Sequence, residues 1–182
     1  EYFAVQVWTR EEEKYLKLAA NYLDIELPGW RNWAQFLWPR RKLTIRRKGN
    51  TKEELAPIFP SYIFIETEDI SPEMYWILKR TNGFVRFLKS NQNIEPLRGK
   101  ERNLLLHFLH FGEVVEKSRV TFDENNRIQV ADGPMKGMEG YIVKVDKRKK
   151  RAKVRLSFYD DAFLIDFGFE FLEKLQDAPT GS

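Results

Sequence analysis

Residues 127–175 read RIQVADGPMKGMEGYIVKVDKRKKRAKVRLSFYDDAFLIDFGFEFLEKL. No helical period of apolar side chains runs through this stretch. Short strand-like runs are separated by turn residues at Asp132-Gly133-Pro134, at Gly137, at the basic tip after Asp146 and at Tyr159-Asp160-Asp161. Four or five short strands at this spacing predict a small β-barrel.

Within that stretch, residues 144–155 carry eight cations, Lys144, Lys147, Arg148, Lys149, Lys150, Arg151, Lys153 and Arg155, against Asp146 alone. Arg151, Lys153 and Arg155 alternate with Ala152, Val154 and Leu156, so a strand here turns three cations to one face and three apolar groups to the core. A charged hairpin tip running into a one-sided basic strand forms a stripe suited to phosphates, with arginine adding bidentate and stacking contacts. The plainer reading is a solvated hairpin. Residues 156–177 carry one Lys and six acids, so the second half of the chain is neutral in sum and polarised along its length.

Upstream the texture differs. Tyr2–Trp8 alternates as a strand. Thr9 offers a helix cap, with Glu11, Glu12 and Glu13 in the first turn and Tyr15, Leu16, Ala19, Ala20 and Leu23 at helical spacing. LPGW ends that helix. Arg41–Arg47 reads as a strand, KGNTKEE as a loop and Phe59–Glu66 as the strongest strand signal. Ser71 and Pro72 open a second helix, Asn82-Gly83 is a turn before the strand FVRFL, and a third helix closes at Gly112. The order predicts an α+β domain with helices packed on a mainly antiparallel sheet.

The 182 residues contain no cysteine, which excludes disulfides, thiolate metal sites and a cysteine nucleophile, and suits a reducing compartment. No apolar run approaches the roughly 18 residues of a membrane helix. His107 and His110 lack further metal ligands at suitable spacing, and no nucleophile elbow or phosphate loop occurs. The reading is a binding protein rather than an enzyme, with no cofactor and no metal.

GPMKGMEGYIVKVD resembles the KOW pattern, with Gly133, Pro134, Met135 and Gly140 in its turn. APIFPSYIFIE resembles the phenylalanine-proline strand of the NusG N-terminal domain, RTNGFVRFL its turn and final strand, and YFAVQVWTREEEK its opening strand and helix. The two modules in series are similar to the NusG/Spt5 family over about residues 1–175. The resemblance implies a ribonucleoprotein-like α/β N-terminal domain (1–111), a linker (112–121), an SH3-like KOW barrel (122–176) and a tail (177–182). Residues 1–110 and 119–176 are each expected to fold alone, because each has its own turn chemistry and apolar set. It implies a cytoplasmic, monomeric transcription elongation factor whose N-terminal domain binds the clamp helices of the largest subunit of RNA polymerase through Tyr2, Phe59, Tyr62 and Phe84. For each aromatic, a place in the core is the alternative.

Asn82-Gly83, Arg86 and Leu156-Ser157-Phe158-Tyr159 depart from the housekeeping pattern and resemble the specialised LoaP-type antiterminators. That implies an RNA hairpin as the ligand of the barrel's cations, with Phe158 and Tyr159 available for stacking. DNA near the transcription bubble is a further partner for Arg40, Arg41, Lys42, Arg46, Arg47 and Lys48, which also suit a solvated strand edge. The housekeeping alternative pairs the barrel with a termination factor or a ribosomal protein, through Met135 and Met138 exposed in the Gly-Pro turn.

Overall fold

The computed structural model describes residues 1–172; the last expected barrel residues (173–176) and the tail (177–182) lie outside the described residues. The first sheet has the order β2-β5-β1-β6, formed by β1 (Tyr2–Val7), β2 (Gln35–Leu37), β5 (Tyr62–Glu66) and β6 (Phe84–Phe87), with every pairing antiparallel. Alternation divides its side chains between two faces. Phe3, Val5, Ile63 and Ile65 face α1 (Glu12–Glu26) and α2 (Pro72–Arg80), joining Tyr15, Ala19, Leu23, Met74 and Leu78 in one core. Ala4, Tyr62 and Phe64 face the other way.

α1 begins later than Thr9 predicts. Its cap is Glu11, and the Thr9 hydroxyl instead meets that of Ser61 at 2.6 Å. Buried Glu12 accepts from the Ser61 backbone N–H at 2.8 Å, tying the helix start to the turn that enters β5. α2 starts as its sequence predicts, with Ser71 Oγ accepting from Met74 N.

KGNTKEE is not a loop. It turns at Lys48-Gly49, both at positive φ, and continues as β4 (Asn50–Pro57). β4 pairs with β3 (Arg40–Arg47) from Arg40↔Pro57 to Arg47↔Asn50, making a long hairpin with a primed-type turn. Most of β4 is exposed, so no apolar alternation announced it. The segment expected as a linker is also structured. β7 (Val114–Val115) joins β3 in parallel, and β8 (Ser118–Phe122) starts the barrel.

The barrel sheet has the order β10-β11-β12-β8-β9, with β9 (Ile128–Asp132), β10 (Ile142–Asp146), β11 (Arg151–Phe158) and β12 (Asp161–Phe171). Gly133 enters its turn at φ 98°, and a Cβ there would stand 2.6 Å from Ser118 Cα, so only glycine fits. Ser118 Oγ, fully buried, accepts from Met135 N at 3.0 Å and draws the turn inward. Met135 and Met138 are consequently buried, which corrects the expectation of exposed methionines. The two expected apolar sets are not separate. Barrel residues Val154, Leu156, Phe158, Phe167 and Met135 share one cluster with Phe59, Tyr62, Phe64 and with Leu105 and Phe108 of α3 (Gly99–Leu109).

Candidate functional site

The second face of the first sheet is covered by the barrel together with α3, whose Arg102 lies over the Tyr2 ring at 5.9 Å. Phe59 sits in the turn before β5, where Ser61 takes φ 71° and Tyr62 N donates back to the Phe59 carbonyl. Its ring contacts Phe64, Phe108 and Phe158 at centroid distances of 5.3, 5.9 and 5.3 Å. Tyr62 meets Phe158 at 5.0 Å and Phe163 at 6.1 Å, and Phe108 stacks on Phe167 at 5.5 Å. Aromatic pairs add about 0.5–1.5 kcal/mol each beyond the area they bury. Tyr62 is 1 % exposed and Phe158 fully buried.

Polar contacts lock the seam. The Tyr62 hydroxyl donates to Asp161 Oδ2. Burial, reinforced by that carboxylate, pushes the phenol well above the usual tyrosine range. His107 Nε2 lies 2.6 Å from the Pro134 carbonyl and donates to it, linking α3 to the barrel turn. Arg41 donates to the Pro57 and Asp166 carbonyls. Its burial, opposed in part by Asp166, lowers the guanidinium to about 10, so it remains charged at neutral pH.

Of the four aromatics expected on one surface, Tyr2, Phe59 and Tyr62 belong to the covered face. Phe84 does not. It pairs with Val7 beyond a bulge at Val85 of β6 and packs on Phe87 against the core under α1 and α2, because that bulge shifts the register of β6 on β1. Phe158 is equally part of the core, so it is closed to stacking on a base, while Tyr159 is half-buried.

The cations of the second half divide by position. β11 alternates as its sequence predicts, with Ala152, Val154 and Leu156 buried. Lys147, Arg148, Lys149 and Lys150 are exposed at the tip, whose turn is fixed by Asp146 accepting from Lys149 N at 2.9 Å. That backbone bond holds the Asp146 carboxyl below its ordinary range. Lys147 covers the Phe122 ring at 3.9 Å. Lys144 stands directly opposite Lys153, an unfavourable like-charge pair relieved by Asp166, 3.9 Å from Lys153. Arg155 is exposed. In the hairpin of β3 and β4, Arg46, Arg47 and Lys48 are exposed while Lys42 pairs with Glu116 at 2.5 Å. Sequence reasoning missed Asp161, His107 and Arg41 as seam residues. Arg41 stood within a basic run, and only its inward register distinguishes it.

Among the described residues there is no group of three or more His, Cys, Asp or Glu placed to hold a metal ion. Nor is any described helix long and apolar enough to cross a membrane.

An antiparallel α/β sheet domain and a strand-rich barrel, joined over one aromatic cluster, define a two-module α+β protein. A family model described as "Transcription termination factor nusG" matches residues 1–106, and the chain belongs to the NusG family. A relative named transcription termination/antitermination protein NusG, from Borreliella burgdorferi, is 24 % identical over 147 residues, covering 75 % of this chain and 78 % of its own length. One of the same name from Vibrio cholerae is 24 % identical over 145 residues, covering 79 % of each. A solved structure titled "Domain interaction in Thermotoga maritima NusG" has a TM-score of 0.56 at 19 % identity, covers 92 % of this chain and 93 % of that one, and shares the fold.

Proposed function

We propose that this NusG-family transcription factor binds RNA polymerase through the sheet face carrying Tyr2, Phe59 and Tyr62, and that its barrel is a KOW module that binds an RNA hairpin to promote processive antitermination in the cytoplasm. The clamp helices of the polymerase are the partner the family resemblance implies for that face, a helix pair against an apolar groove. The observation that carries the reading is the cover itself. A sheet face rich in aromatics is closed by a second module through a few polar locks, and so can be uncovered. Exposed Arg155 and the exposed tip cations Lys147, Arg148, Lys149 and Lys150, with partly buried Arg151 and Lys153 beside them, supply the RNA contact, and their density favours the specialised LoaP-type role.

For the housekeeping reading, Met135 and Met138 of the Gly-Pro turn were the expected source of the apolar contact. With Met135 and Met138 buried, that contact is closed in this arrangement. Purified polymerase tests the first half of the proposal. Asp161→Ala should bind it more tightly than the parent chain, and Tyr2→Ala in that background should return binding towards the parent's. Equal binding by Asp161→Ala with and without Tyr2 would place the polymerase contact elsewhere. Electrophoretic shifts with an RNA hairpin, single-stranded RNA and duplex DNA test the second half. Equal affinity for all three, lost together at moderate salt, would leave the cations as a general electrostatic patch.

A further inference from the structure

The hairpin of β3 and β4 stands opposite the tip between β10 and β11, and a cleft of about 650 Å³ lies between them. Arg46 lines it from the hairpin and Lys117 from the segment between β7 and β8. Arg148, Lys149, Lys150 and Arg151 line it from the barrel tip. Glu170 is the acid in its wall, and Lys117 is already paired with Glu53 at 3.1 Å. Among the described residues, none of Arg46, Arg148, Lys149, Lys150 and Arg151 has a carboxylate within 4.0 Å. Arg151 reaches across the seam and donates to the Thr44 carbonyl at 2.9 Å, while its buried Nε finds no acceptor.

Bringing these walls together gathers like charges, which opposes closure. A bound anion removes that penalty. A single phosphate would leave most of the cations unmatched, whereas a phosphodiester backbone supplies charges in series. We propose that this cleft is a nucleic-acid backbone site built jointly by the two domains: an RNA hairpin brings the closed chain to the polymerase transcribing it, and polymerase must then displace that hairpin to take the covered sheet face. The inference rests on the nucleic-acid reading above and adds to it the N-terminal wall and the antagonism. Because coupling is reciprocal, polymerase must weaken RNA binding by the factor by which RNA weakens polymerase binding.

Anisotropy of a fluorescein-labelled RNA hairpin with the full chain provides the test, with thermal unfolding as the check on each variant. Arg46→Glu and Arg148→Glu should each weaken binding about fivefold at ~0.1 M salt and flatten the log–log salt slope by about 0.7–0.9. Lys79→Glu, an equal charge reversal on α2 behind the sheet, should leave both unchanged. Saturating RNA should raise the apparent Kd of polymerase for the parent chain.

If Arg148→Glu weakens binding while Arg46→Glu matches Lys79→Glu, the barrel binds RNA alone; the joint site fails and the nucleic-acid reading survives. If the parent binds no RNA at low salt, both fail. Displacement of the hairpin by equimolar inorganic tripolyphosphate would overturn a backbone ligand in favour of a small polyanion. Polymerase affinity unchanged or raised by RNA would overturn the closed-state preference.

Discussion

Tyr62 and Asp161, separated by 99 positions in the chain, share a hydrogen bond across the seam between the sheet domain and the barrel. The bond reports closure, since its partners belong to different modules. Asp161→Ala leaves a buried hydroxyl without an acceptor, a loss of about 1–3 kcal/mol. The open fraction should rise, read as a longer distance between fluorophores placed at exposed Lys79 and Lys136. An unchanged distance distribution would show that the aromatics alone hold the seam.

The same bond sets a pH limit. Tyr62 titrates higher in the closed chain than in an unfolded one, so its contribution is fully present below the ordinary tyrosine value of about 10 and is lost as pH rises through the folded value. Closure should therefore show no phenol-dependent loss from neutrality to that point and a fall above it. Tyr62→Phe should remove the phenol's part of that fall. Superimposable profiles for parent and Tyr62→Phe would assign the alkaline limb to other groups.

Phe158→Ala should cost about 3–5 kcal/mol, because the lost ring leaves a cavity among Phe59, Tyr62 and Phe64. Since those partners lie in the other module, part of the loss should appear as domain release. Chemical unfolding of the full chain should lose cooperativity and show two transitions. One sharp transition of unchanged midpoint would contradict the shared core.

Gly133→Ala should destabilise the barrel by about 2–6 kcal/mol, the sum of positive-φ strain and overpacking against Ser118. Gly140→Ala, where the new methyl meets nothing within 4 Å, should change the melting temperature little. Equal effects at the two glycines would mean that the turn can relax around Ser118.

The strands and helices that alternate cleanly were legible. Tyr2–Val7, the Ser71-Pro72 helix start and the inward set Ala152, Val154 and Leu156 follow directly from local pattern and turn chemistry. β4 was not, because an exposed strand carries no apolar period. The shift of the α1 cap from Thr9 to Glu11 was also hidden, since Thr9 bonds to a serine far along the chain. At the site, alternation placed Tyr62 and Phe64 on one face but could not say what covers it. Register decided Phe84, and the bulge at Val85 of β6 that sets it has no local signature. The burial of Phe158 and the methionines depends on one module meeting the other, which no window of sequence contains.

The shared aromatic cluster carries a cost in solubility. Opening the chain uncovers Phe59, Tyr62 and Phe64 on one side and Phe158 and Phe167 on the other, so two complementary apolar faces reach water together. Each is the natural mate of the other face on a second copy, and at high concentration an open chain would exchange barrels with its neighbours. Under the proposed polymerase contact, release is therefore safest where that partner already stands at hand to take the freed sheet face, rather than in the bulk solution.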